Sequence, residues 1–111
     1  VVWFSGIMGR LPQYCRARAL RPLTLLYLHL ESVPHTERFR QSTARDFLAN
    51  QLLPLLQCTG AADVALEACH CALLICAHVL HRTHNSDPRL APQWVAHAVW
   101  RAAHSLLLIL N

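Results

Sequence analysis

Apolar residues recur at three- and four-residue steps over most of the chain, the spacing that gathers them on one face of an α-helix. No stretch alternates apolar and polar residues as a half-buried strand would. The pattern predicts an all-α fold with helices at about residues 15–30, 35–57, 62–81 and 91–110. The first 13 residues are mixed. Val1-Val2-Trp3-Phe4 is apolar, while Gly6, Gly9 and Pro12 break the period, as in a helix tail followed by a loop.

Within the first helix Pro22 is expected to kink or split the element, which would move its start to Arg21. The second opens at Pro34 or Thr36, with Glu37 suited to the positive end of the helix dipole. Its stripe is Phe39, Thr43, Phe47, Leu48, Leu52, Leu55 and Leu56, and Pro54 predicts a bend near its end. The third carries Val64, Ala68, Ala72, Ile75 and Val79, widened by Cys69, Leu73, Cys76 and Leu80. Its Ala and Cys keep it slim enough for close packing. The polar run Thr83-His84-Asn85-Ser86-Asp87-Pro88 reads as a loop. On the fourth helix Trp94, His97, Arg101 and His104 form a polar side opposite Val95, Val99, Ala102, Leu106 and Ile109; Trp100, at the border, reads as core. Connections this short imply antiparallel neighbours.

Composition sharpens this picture. Hydrophobic residues make up 54% of 111 and charged residues only 14%, little polar cover for a small monomer. With Val1 at one end and the run Leu106–Leu110 at the other, the chain is expected to be a segment of a larger protein whose other parts cover its faces. All ten basic residues are Arg. Arg10, Arg16, Arg18 and Arg21 form a stretch with no acid before Glu31. Such a stretch suits an anionic membrane surface or an acidic protein face; the plainer reading is a solvated helix face. Aromatic residues are too sparsely interleaved to make a specific nucleic-acid signal. The five Cys (Cys15, Cys58, Cys69, Cys71, Cys76) are odd in number, and three fall within eight residues of one helix, where disulfide geometry is hard to meet. They read as small buried hydrophobes in an intracellular, reducing compartment, cytoplasmic or nuclear.

Leu52-Leu53-Pro54-Leu55-Leu56, the turn Cys58–Ala62, then Asp63-Val64, Ala68 and Leu73 carry a family likeness. Together they resemble a HEAT-type repeat, the helix–turn–helix unit of α-solenoids. The best of the likeness lies in residues 52–77. Ala65 stands where that family usually has Arg, so an armadillo-like or irregular helical repeat stays open. The resemblance implies antiparallel helix pairs stacked as a solenoid, and a scaffold that binds protein partners on its curved surface.

Chemistry is sparse by comparison. His70, His78, His81 and His84 share the less apolar side of the third helix, away from Cys69 and Cys76. A structural zinc site wants four tetrahedral ligands drawn from two elements, and no second element offers an obvious pair, though His97 and His104 could approach. A Cys–His nucleophile needs an accessible thiolate beside an oriented base, which an apolar stripe does not supply. With six acids in all and no Gly-rich phosphate loop, neither an enzyme, a metal, a cofactor nor a small-molecule substrate is expected. The uncharged run after Glu67 is about 13 residues, short of the roughly 20 a membrane span needs. Interfacial attachment through the Arg-rich stretch, on an organelle membrane, is the alternative to protein binding. The expected partner contacts are Arg16, Arg18, Arg38, Trp94, His97 and Arg101.

Overall fold

A computed structural model describes residues 2–30, 37–57, 62–86 and 93–110, and all its secondary structure there is helical. The elements are α1 (Val2–Arg10), α2 (Gln13–Leu30), α3 (Glu37–Phe47), α4 (Ala62–Ser86) and α5 (Gln93–Leu110). The all-α expectation holds. Beyond α3 the chain continues as a π-helical turn, Leu48–Leu52, and a 3-10 turn, Leu53–Gln57. Cys58 lies outside the described residues.

The apolar stripe of α4 makes it the central element. Val64, Ala68, Ala72, Ile75 and Val79 are all buried, as are Cys69, Cys71 and Cys76. A helix buried over so wide an arc needs cover on several sides. It packs against α2, against α5 and against the 3-10 turn. Arg21 on α2 meets Glu67 and His70, while Thr24, one turn on, meets Cys71. Residue numbers therefore rise together along the two helices, and α2 lies parallel to α4. Between these alternate helices, α3 and its continuation return the chain before α4 begins. The pair α4–α5 is antiparallel, as two long helices packed together and separated by only six residues must be.

At the other end an aromatic cluster ties in the remaining elements. The Phe47 ring stacks on Tyr27 at 4.1 Å and meets Phe4 edge-on at 4.9 Å. This joins α1, α2 and α3 in one contact. Such ring pairs contribute about 0.5–1.5 kcal/mol each beyond their area. Ser5 donates a hydrogen bond to Gln51 Oε1 at 2.9 Å, pinning α1 to the π turn.

Local departures from the expected elements have physical reasons. The first residues form a full helix whose Phe4 is buried, with the break confined to Leu11-Pro12. α2 runs unbroken through Pro22; the carbonyl of Arg18, deprived of its partner there, is on an exposed side where water can serve it. α4 extends to Ser86, beyond the expected end at residue 81 and into the expected loop. The Thr83 hydroxyl donates to the carbonyls of Val79 and Leu80 at 3.0 and 3.1 Å, so this buried polar residue is satisfied inside the helix. Pro54 ends regular α-helix at Phe47, further upstream than a bend at its own position would require.

Candidate interaction groove

Between α4 and its flanking helices lies a groove of about 550 Å³. Its floor is the outward side of α4: Leu66, Glu67, Cys69, His70, Leu73 and Leu74. Arg21 from α2 forms one rim and Leu106 from α5 the other. The polar rim is a small network. Arg21 Nη2 donates to both Glu67 carboxylate oxygens at 3.2 and 3.3 Å, and lies 3.2 Å from His70 Nδ1. Arginine can only donate, so Nδ1 accepts. With Arg21 48% exposed, solvent screens the ion pair, and its stabilisation is of order 0–1 kcal/mol. The network orients the rim more than it stabilises the fold.

The apolar side of the groove continues along both helices. On α4, Leu66, His70, Leu73, Ala77 and Leu80 follow one another at steps of four and three; Leu73 is half-buried and the rest are exposed. On α5, Ala96, Trp100, Ala103, Leu107 and Leu110 repeat the same steps, and all five are exposed. At about 100° per residue each set forms one narrow stripe, the spacing of a coiled-coil seam. Leu66 and Leu73 share the groove with Leu106, which neighbours Ala103 and Leu110 on α5. Leu66, His70 and Leu73 of the α4 stripe thus lie in the groove floor, and the α5 stripe runs beside its Leu106 rim. Trp100 is 63% exposed, Leu107 62% and Leu110 70%, far more than a core assignment allows.

The six expected contact residues do not converge. Arg16 is half-buried, its Nε donating to the Leu11 carbonyl at 3.4 Å, and so serves the α1–α2 turn. Arg18 is exposed on α2. Trp94 is half-buried against the core, Arg101 half-buried, and His97 exposed on α5. The side chain of Arg38 lies outside the described residues. The two tryptophans thus exchange the expected roles: Trp94 packs inward, while Trp100 stands out and stacks on His104 at 5.3 Å and 2°. The 4-3-4-3 spacing from Ala96 to Leu110 was the available signal for the missed stripe. Nothing in single-helix periodicity pointed to Arg21 meeting Glu67 across 46 residues.

No reactive thiol lines the groove. Burial pushes Cys69 and Cys71 up, the latter partly offset by the nearby Thr24 hydroxyl, and pushes Cys76 up to about 11. These thiols are neutral near pH 7. Among the described residues no group of three His, Cys, Asp or Glu side chains is placed to hold a metal ion. α4 from Ala62 to Thr83 is long and apolar enough to cross a membrane by length and composition, longer than the uncharged run had suggested, yet half of it is buried by its own neighbours. Compared with protein-family models, curated proteins and solved structures, the chain matches none.

Proposed function

We propose that this chain is a non-catalytic, HEAT-like helical-repeat segment that binds protein within a larger intracellular assembly. The observation that carries the reading is the pair of exposed apolar stripes on α4 and α5, the first of which lies in the groove floor. Soluble monomers rarely leave contiguous apolar surface open, and patches of this kind mark contact sites. The parallel placement of α2 and α4, with antiparallel elements before and after α4, supports a stacked-repeat arrangement, in which alternate helices share a layer. Side chains that line an open groove suit a rod-like partner.

The test is photo-crosslinking from position 103, on the stripe, and from position 45, where Arg45 is exposed on α3, in the cell that makes the protein. Discrete protein adducts from 103, absent from 45 and lost on Leu107→Glu along the same stripe, support protein binding here. Equal adducts from both positions, or lipid adducts alone, overturn it.

A second reading rests on the outward side of α2. There Arg18 and Arg21 precede Leu25, Leu26 and Leu30, all five exposed, so the helix offers a basic end and an apolar end to an anionic membrane surface. Co-sedimentation with anionic vesicles that is lost in high salt and on Arg18→Glu supports this reading; absence of co-sedimentation removes it.

A further inference from the structure

α5 turns two different faces to its surroundings. Val95, Ala98 and Ala102 are buried against the rest of the molecule. Ala96, Trp100, Ala103, Leu107 and Leu110, all exposed, lie roughly 130° round the helix from them. This outer seam holds no charged side chain: the one formally charged residue of α5 is Arg101, half-buried and outside it. The α4 stripe is different. Its Leu66, His70 and Leu73 share the groove with Arg21 and Glu67, so a partner covering them would also strip water from that ion pair. The α5 seam can be covered by apolar surface without burying any charge.

The order of small and large residues along the seam fits a second copy of itself. Steps of four and three put Trp100 and Leu107 at heptad a positions, with Ala96, Ala103 and Leu110 at d. Two such helices lying antiparallel bring an a position of one opposite a d position of the other. With Trp100 opposite Ala103 of the second copy, Leu107 falls opposite its Ala96, and a two-fold axis repeats both pairs. Each of these large side chains then meets an alanine, the alternation that lets facing helices interdigitate at close range. The Trp100 ring is already stacked on His104 at 5.3 Å, so little of its freedom remains to be lost on docking. Covering the seam on both chains removes on the order of 1,000 Å² from water, the area at which specific interfaces begin.

From these features we infer that α5 is a homodimer seam, packing antiparallel on α5 of a second copy of this chain with Trp100 against Ala103 and Leu107 against Ala96. The inference rests on the protein-binding reading above and names a second copy as the partner. For so small an interface the expected dissociation constant is on the order of 10 μM.

The experiment is sedimentation equilibrium of the full chain from about 1 to 100 μM, with Trp100 emission followed alongside. The parent is expected to pass from monomer to dimer, its emission moving to shorter wavelength over the same range. Leu107→Glu should weaken the dimer at least tenfold. Ala103→Leu adds apolar surface, yet it too should weaken the dimer at least tenfold, because a second large side chain then meets Trp100. Leu66→Glu, in the groove on α4, should leave the dimer unchanged. All three positions are exposed, so helical circular dichroism should stay the same. The register is read with a benzophenone side chain at position 107, photo-activated in a mixture of isotope-labelled and unlabelled chains. Mixed-isotope adducts should map around Ala96. Adducts around Leu107 of the other chain, or tighter association of Ala103→Leu, would overturn the seam and leave the protein-binding reading standing. So would association lost in Leu66→Glu but kept in Leu107→Glu, or adducts in the cell that join position 107 only to a different protein. A parent that stays monomeric and binds phospholipid vesicles instead would overturn both.

Discussion

Cys76 lies on α4 with 1% of its surface exposed, and burial pushes its thiol up to about 11 from an ordinary value near 9. Because the folded state favours the neutral thiol, that preference is fully present below pH 9. It is lost as pH rises toward 11, where the unfolded chain has already released its proton. About two pKa units correspond to roughly 2–3 kcal/mol, and Cys69 and Cys71 shift in the same direction. In urea unfolding, the stability advantage of the parent over Cys76→Ala should shrink by about 2 kcal/mol between pH 7.5 and pH 10.5; an unchanged gap would refute the burial. Iodoacetamide at pH 8 should modify half-buried Cys15 well before Cys69, Cys71 and Cys76. The tryptophans give an optical check at the same scale. Removing the exposed Trp100 as Trp100→Phe should shift the emission to shorter wavelength and reduce acrylamide quenching, whereas a buried Trp100 would do the reverse. Their exchange of roles was not legible beforehand because the apolar arc of α5 is so broad. With Ala96, Trp100, Ala103, Leu107 and Leu110 on one side and Val95, Ala98, Ala102 and Ile109 on the other, periodicity cannot locate the buried centre. Only the neighbouring helices decide it.

The continuation of α3 shows how a proline and a residue spacing together set an element's shape. Phe47 and Leu48 are buried, and so are Leu52 and Leu53, five positions on. In an α-helix those pairs would diverge, since stacked neighbours are three or four apart. A π-helical turn bonds residue i to i+5, and the Leu53 N–H does bond to the Leu48 carbonyl. The extra residue therefore realigns the buried stripe, and it does so immediately before Pro54, which cannot donate to the ladder. Removing one residue from the exposed side should cost little. Deletion of Asn50, combined with Pro54→Ala, should leave the stability within about 1–2 kcal/mol of the parent, because the stripe then stacks in plain α-helix. The matching deletion of Ala77 from α4 should prevent cooperative thermal unfolding, since it rotates half of a central helix out of register. Equal effects of the two deletions would refute this account of the π turn. The interruption of the helix around Pro54 was legible as a local rule. Its π and 3-10 character was not, because the five-residue step becomes visible only once burial is known.

At the scale of the whole molecule, the all-α class was readable from periodicity and composition, whereas the arrangement of helices was not. Parallel packing of α2 on α4 depends on where the α3 rod returns the chain, and no local pattern encodes that. The site followed the same division. The apolar excess was evident in the composition, but the groove exists only because α2, distant in sequence, and α5 flank α4, whose apolar stripe, like that of α5, is left exposed. The account stands on those stripes being outward and adhesive. Sedimentation velocity of the parent chain against the Leu66→Glu, Leu107→Glu double variant tests this most directly, both residues being exposed. At about 100 μM the parent should sediment as associated species, driven by burial of apolar surface worth about 25 cal/mol per Å². The double variant should sediment as a monomer with unchanged helical circular dichroism. A parent that remains monomeric, or a double variant that associates as strongly as the parent, would contradict the claim that these stripes are the molecule's contact surface.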